Sequence, residues 1–155
     1  MYRVIYYSMG GKTKKIAEAI AGELGVSAED IRSVNEIRVD DFILLGSGCY
    51  GAVLVKEITS FIERNKLLGR KIVLFTTSAF GLGKEIAIME KQLADRGINV
   101  ISHFNCFGQF LALQIGHPNA TDLQKAREFA QSISLKQIPQ TTDGTRIMSG
   151  ISAAT

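Results

Sequence analysis

The chain has 155 residues, 46% hydrophobic and 21% charged, with 15 Gly, 2 Pro and a formal charge of +3. One ordinary domain with a packed core is expected, and global disorder is excluded. Its 2 Cys lack CxxC spacing and its 2 His lack clustered partners, which argues against a disulfide scaffold and a zinc site.

Lysines and arginines are spread along the chain, so nucleic-acid binding is not expected. No apolar run reaches the ~18 residues of a membrane span, so no membrane insertion is expected. The opening apolar stretch is too short for a signal peptide, and a reduced, cytoplasmic setting is the expectation.

Short apolar strands alternate with amphipathic helical stretches. Tyr2 to Tyr7 is β-rich and ends at Ser8-Met9-Gly10-Gly11. Lys12 to Leu24 has Ile16, Ala17, Ile20, Ala21 and Leu24 at helical spacing, with Gly25 as its stop. A weak strand signal lies within residues 29–39. Phe42 to Leu45 (FILL) reads as a strand covered on both faces, ending at Gly46. A second helix is predicted over Leu54 to Asn65, and Lys71 to Phe75 (KIVLF) is another buried strand. A third helix spans Lys84 to Arg96 and stops at Gly97. Ile98 to Phe104 is a fifth strand, followed by an irregular connection over 105–120. Thr121 and Gln124 read as the capping box of a last helix. The domain is expected over 1–134, with 135–155 a polar tail.

Five such βα units imply a parallel sheet with helices on both faces. Every Gly-rich segment follows a strand, so three Gly- and hydroxyl-rich loops converge on the carboxyl edge, where ligands of such sheets bind. In the first, Ser8, Met9, Gly10, Gly11, Lys12 and Thr13 link a strand to a helix start. Free amides, two glycines and flanking hydroxyls suit a phosphate. Lys12, Lys14 and Lys15 crowd a helix end whose dipole disfavours cations, and a bound anion would relieve that. Gly11-Lys12-Thr13 also ends like a Walker A loop, but the required first glycine is replaced by Tyr6.

Tyr7-Ser8-x-Gly10-Gly11-x-Thr13 after a strand resembles the phosphate loop of flavodoxins. This chain has Gly10 where that family usually has Thr, and Lys12 where it has Asn. The segment Ser47-Gly48-Cys49-Tyr50-Gly51 is similar to the family's third-strand loop, and Thr77-Ser78-Ala79-Phe80-Gly81 to its fourth-strand loop. The resemblance implies a flavodoxin-like three-layer α/β sandwich with a five-stranded parallel sheet, order 2-1-3-4-5. It implies FMN as cofactor: Ser8 to Thr13 on the phosphate, Tyr50 and Phe80 on the two ring faces. It places at the ring edge Gly51, whose peptide reorients when the ring is reduced, and the backbone of Thr77 and Ser78. It proposes no catalytic acid or base.

The activity so implied is electron carriage between redox protein partners. The alternative is an FMN-dependent oxidoreductase that reduces a quinone or similar small acceptor with NAD(P)H. A receiver-type signalling module would need acids where Tyr7-Ser8 and Gly46-Ser47 stand.

Overall fold

The computed structural model describes residues 1–51, 53–78, 84–107 and 115–137. In chain order these form β1 (Tyr2–Tyr7), α1 (Lys12–Glu23), β2 (Ala28–Asp30), β3 (Phe42–Gly48), α2 (Lys56–Arg64), β4 (Lys71–Ser78), α3 (Lys84–Ala94), β5 (Asn99–Phe107) and α4 (Ala120–Gln137). All strand pairings are parallel, in the order β2-β1-β3-β4-β5. The expected fold class is thus the one observed.

The two faces of the sheet follow from side-chain alternation along a strand. Ile5, Ile43, Leu45, Ile72 and Leu74 point to one face and pack with Ile58, Phe61, Met89 and Leu93 of α2 and α3. Val4, Tyr6, Leu44, Val73 and Phe75 point to the other and meet Ile16, Ile20, Ala126 and Ala130 of α1 and α4. Most of these side chains are fully buried, each contributing roughly 1.5–3 kcal/mol relative to exposure. Central strands covered on both sides explain the continuous runs FILL and KIVLF.

Four sequence expectations are corrected. The strand signal within 29–39 resolves to a three-residue strand, Ala28–Asp30. Beyond it the Asp30 carboxylate accepts the Arg32 amide at 2.9 Å and the Asp30 carbonyl accepts the Ser33 amide at 2.9 Å, so the chain turns at once. Ile31 and Val34 are apolar because they plug the α2-side core, not because they line a strand. Second, β3, β4 and β5 run further than their apolar runs. Ser47, Gly48, Thr77 and Ser78 are ladder residues, held by the pairs Ser47↔Thr76, Gly48↔Thr77 and Ser78↔Phe107. Third, the capping box of α4 is Asn119/Asp122 rather than Thr121/Gln124. The Asn119 amide donates to Asp122 Oδ2 at 2.8 Å, and the Asp122 amide to Asn119 Oδ1 at 3.1 Å. Fourth, α4 continues to Gln137, beyond the expected boundary at 134, and 138–155 lie outside the described residues.

At the amino edge, Arg3 ties β1 to its neighbours. It forms a bidentate pair with Glu29 (2.6 and 2.9 Å) and bonds Asp41 Oδ2 at 3.0 Å. Burial alone would raise the Asp41 carboxyl, but the Arg38 amide and the Arg3 guanidinium bonded to it hold it below the usual carboxylate range.

Candidate functional site

The parallel register brings the carboxyl ends of β1, β3 and β4 side by side: Tyr7 pairs Ser47, and Gly48 pairs Thr77. The loops predicted to converge therefore leave the sheet as neighbours.

The first loop turns into α1 at Gly11, the N-cap, whose φ of 75° is left-handed and strains any residue with a Cβ. No side chain caps this helix and its first turn holds no acid, while Lys12, Lys14 and Lys15 stand there. The end of the helix thus presents free amides and a cluster of cations in which, among the described residues, only Lys14 has an ion-pair partner, Glu18. Ser8 Oγ is buried and, among the described residues, has no hydrogen-bond partner. A Cβ built on Gly10 or Gly11 would meet nothing within 4 Å, so the loop has space beside its backbone. Thr13 is buried, its hydroxyl 2.9 Å from that of Thr77. With Thr77 as donor, Thr13 keeps its own proton for an anion in the loop. An orphaned hydroxyl, open glycines and an uncapped helix start fit a phosphate group.

Tyr50 links the second loop to the first. Its hydroxyl accepts the Met9 amide at 3.1 Å, and its ring meets Tyr7 edge-on, centroids 6.4 Å apart. It lies so close over Gly48 that a Cβ there would be 2.6 Å from the ring, which is why residue 48 carries no side chain. Gly51 has φ of 68° and open space around it, so only glycine sits there unstrained. The Cys49 amide donates to the Thr77 carbonyl at 2.8 Å, and Ser47 Oγ donates to the Gly48 carbonyl at 3.0 Å.

Thr76 and Ser78 hydroxyls donate to Asn105 Oδ1 at 3.0 and 3.4 Å, fixing the end of β4 against β5. Ala79, Phe80 and Gly81 lie outside the described residues, as does Ala52.

Both cysteines are free. Burial pushes the Cys49 thiol up to about 11 and the Cys106 thiol up to about 12, so both are neutral near pH 7. Cys49 Sγ donates to Met89 Sδ at 3.4 Å, behaving as a half-buried packing residue. His117 binds the Asp122 carboxylate at 2.5 Å and fixes the turn before α4.

Three residues at this edge have contacts that a sequence reading does not give. Asn105 was expected in an irregular connection. Tyr7 opens the phosphate-loop motif, but only the fold sets its ring against Tyr50. Glu85 reads as a routine acid in a first helical turn, yet its Oε2 is buried, and its charge helps keep the Cys49 thiol protonated.

The comparisons agree with this geometry. Residues 3–114 match the flavodoxin domain family. An uncharacterised protein of Methanocaldococcus jannaschii is 32% identical over 145 residues, covering 84% of this chain and 95% of its own. A flavodoxin of Clostridium beijerinckii is 29% identical over 110 residues, covering 64% and 80%. Among solved structures, oxidised flavodoxin 2 from Bacillus cereus superposes with a TM-score of 0.60 over 87% of this chain and 98% of its own, at 23% identity. With the family match spanning most of the sheet and both glycine-rich turns that follow β1 and β3, the chain belongs to the flavodoxin family.

Proposed function

We propose that this protein binds FMN at the carboxyl edge of its sheet and carries electrons between redox protein partners. The observation that carries the reading is the first loop: an uncapped helix start with three lysines, an orphaned buried Ser8 hydroxyl and open Gly10 and Gly11.

Ser8 and Thr13 would donate hydroxyl protons to the phosphate, the loop amides of Gly10, Gly11 and Lys12 would bond it, and the Lys12 ammonium would balance its charge. Tyr50, whose hydroxyl accepts the Met9 amide, would cover one face of the flavin. Phe80 is assigned to the other face. Cys49 and Gly51 line the ring edge with their backbone, together with Thr77 and Ser78. The Gly51 backbone, unhindered at positive φ, turns its peptide at little cost. Bound FMN supplies the redox chemistry, and the chain supplies orientation, stacking and local charge.

Titration of the purified protein with FMN, read by quenching of flavin fluorescence, tests the reading. Stoichiometric quenching is expected, and its absence refutes it. Steady-state turnover of NAD(P)H with a quinone and no added reductase would instead identify an oxidoreductase. Among the described residues no helix is long and apolar enough to cross a membrane.

A further inference from the structure

A second feature lies beside this edge, on the β2 side. Between the turn after β2 and helix α2 runs an open groove of about 280 Å³, lined by Ile31, Arg32, Lys56, Glu57, Ser60 and Arg64. Ile31, 2% exposed, supplies its apolar floor. Three of the six side chains are cations, and two of those are held in place. Arg32 is clasped by Asp30 at 2.6 and 2.8 Å, yet two-thirds of its side chain stays exposed. Arg64 donates to the Ile31 carbonyl at 3.4 Å and stands 5.9 Å over the Phe61 ring. Lys56 is exposed and has no ion-pair partner among the described residues.

The groove adjoins the proposed flavin site. Its one carboxylate, Glu57, lies near the Tyr7 phenol, which burial and that charge push up, and Tyr7 meets Tyr50 edge-on. On its other flank, Lys14 is close enough to Asp30 to help hold that carboxyl low, after the larger effect of Arg32. The positive rim thus continues onto Lys12, Lys14 and Lys15, where only Glu18 pairs with Lys14, at 3.8 Å.

We propose that this groove, with the adjoining first turn of α1, docks an acidic surface of the redox partner. This rests on the electron-carrier reading. Its cations are exposed heads on long side chains, not buried donors converging on a point, which suits a protein surface better than a small anion. The cavity is also below the roughly 300–1,000 Å³ of typical small-molecule pockets. Electron-transfer complexes are small and short-lived, and charge complementarity sets their encounter rate.

The test uses the FMN-loaded protein and, as probe, a strongly acidic ferredoxin carrying a reduced [4Fe–4S] cluster. One electron passes from the cluster to the bound flavin, and stopped-flow absorbance gives the second-order rate. The rate is expected to fall by about tenfold or more between low and high salt. Lys56→Glu/Arg64→Glu should lower it about tenfold at low salt and leave it unchanged at high salt. Lys56→Glu alone, at an exposed side chain with no ion-pair partner among the described residues, should give part of the loss and guards against misfolding of the double variant. Lys71→Glu, exposed at the opposite edge of the sheet, should stay within about twofold. A rate indifferent to salt, or an equal loss in Lys71→Glu, overturns the proposal. So does inorganic phosphate that competes saturably at constant ionic strength, since the groove would then be a small-anion site. A chain that takes up no FMN sinks the electron-carrier reading instead. The docking claim is then decided by anisotropy of labelled ferredoxin with the FMN-free protein, where Lys56→Glu must weaken binding.

Discussion

Replacing Ser8 by Ala should move stability and cofactor affinity in opposite directions. The Ser8 hydroxyl is buried without a partner, and an unsatisfied buried polar group costs about 1–3 kcal/mol. Removing it leaves a methyl group in the same space. The FMN-free variant should therefore be more stable by about 1 kcal/mol, a rise in Tm of about 2–4 °C for a domain of this size. The same hydroxyl, donating to a phosphate, would contribute about 1.5–3 kcal/mol to binding. Its loss should weaken FMN affinity by about 10- to 150-fold. Thermal unfolding without FMN and fluorescence titration with it measure the two effects independently. A lower Tm for the FMN-free variant, together with an unchanged Kd, would refute the reasoning. The hydroxyl would then be a structural group with no ligand to meet.

Gly46→Ala should destabilise the fold by about 1–3 kcal/mol in urea unfolding, because its Cβ would lie 2.0 to 2.8 Å from the fully buried Phe75 ring. Adding Phe75→Leu should recover part of that loss. Cys49, with its thiol near 11 against an ordinary value of 9.0, should react with a disulfide reagent at pH 7.5 about 100-fold more slowly than a free thiol. Its rate should climb about tenfold per pH unit up to pH 10, whereas a plateau above pH 9 would contradict the assignment. Asp41→Asn should cost about 2 kcal/mol near pH 7, since it removes a carboxylate bonded to Arg3. The folded-state value of Asp41 is depressed, so its contribution is present above the unfolded value near 4 and lost as pH falls through the folded one. The variant and the parent should therefore converge in stability at the acid end of a pH series.

Sequence alone determined the layer order and the direction of the strands. FILL and KIVLF are apolar at every position because both faces of those strands are covered, and that pattern is local enough to read directly. Gly25 and Gly97 end α1 and α3 just as legibly, at φ of 68° and 70°. The three-residue β2 was not legible, because so short an edge strand has no period of its own. The apolar Ile31 and Val34 beside it answer to a core assembled from distant helices. The cap of α4 was shifted by two residues, since several residues there have capping side chains and backbone geometry chooses among them.

At the site, the glycines and hydroxyls of the first loop announced an anion cradle. Only the tertiary structure decided which hydroxyl is left without a partner, that Thr13 reaches Thr77, and that Tyr50 crosses from β3 to the Met9 amide. Those facts depend on residues 41 and 64 positions apart meeting across a parallel sheet. A one-residue slip of β4 would turn the Thr77 hydroxyl to the opposite face of the sheet, away from Thr13.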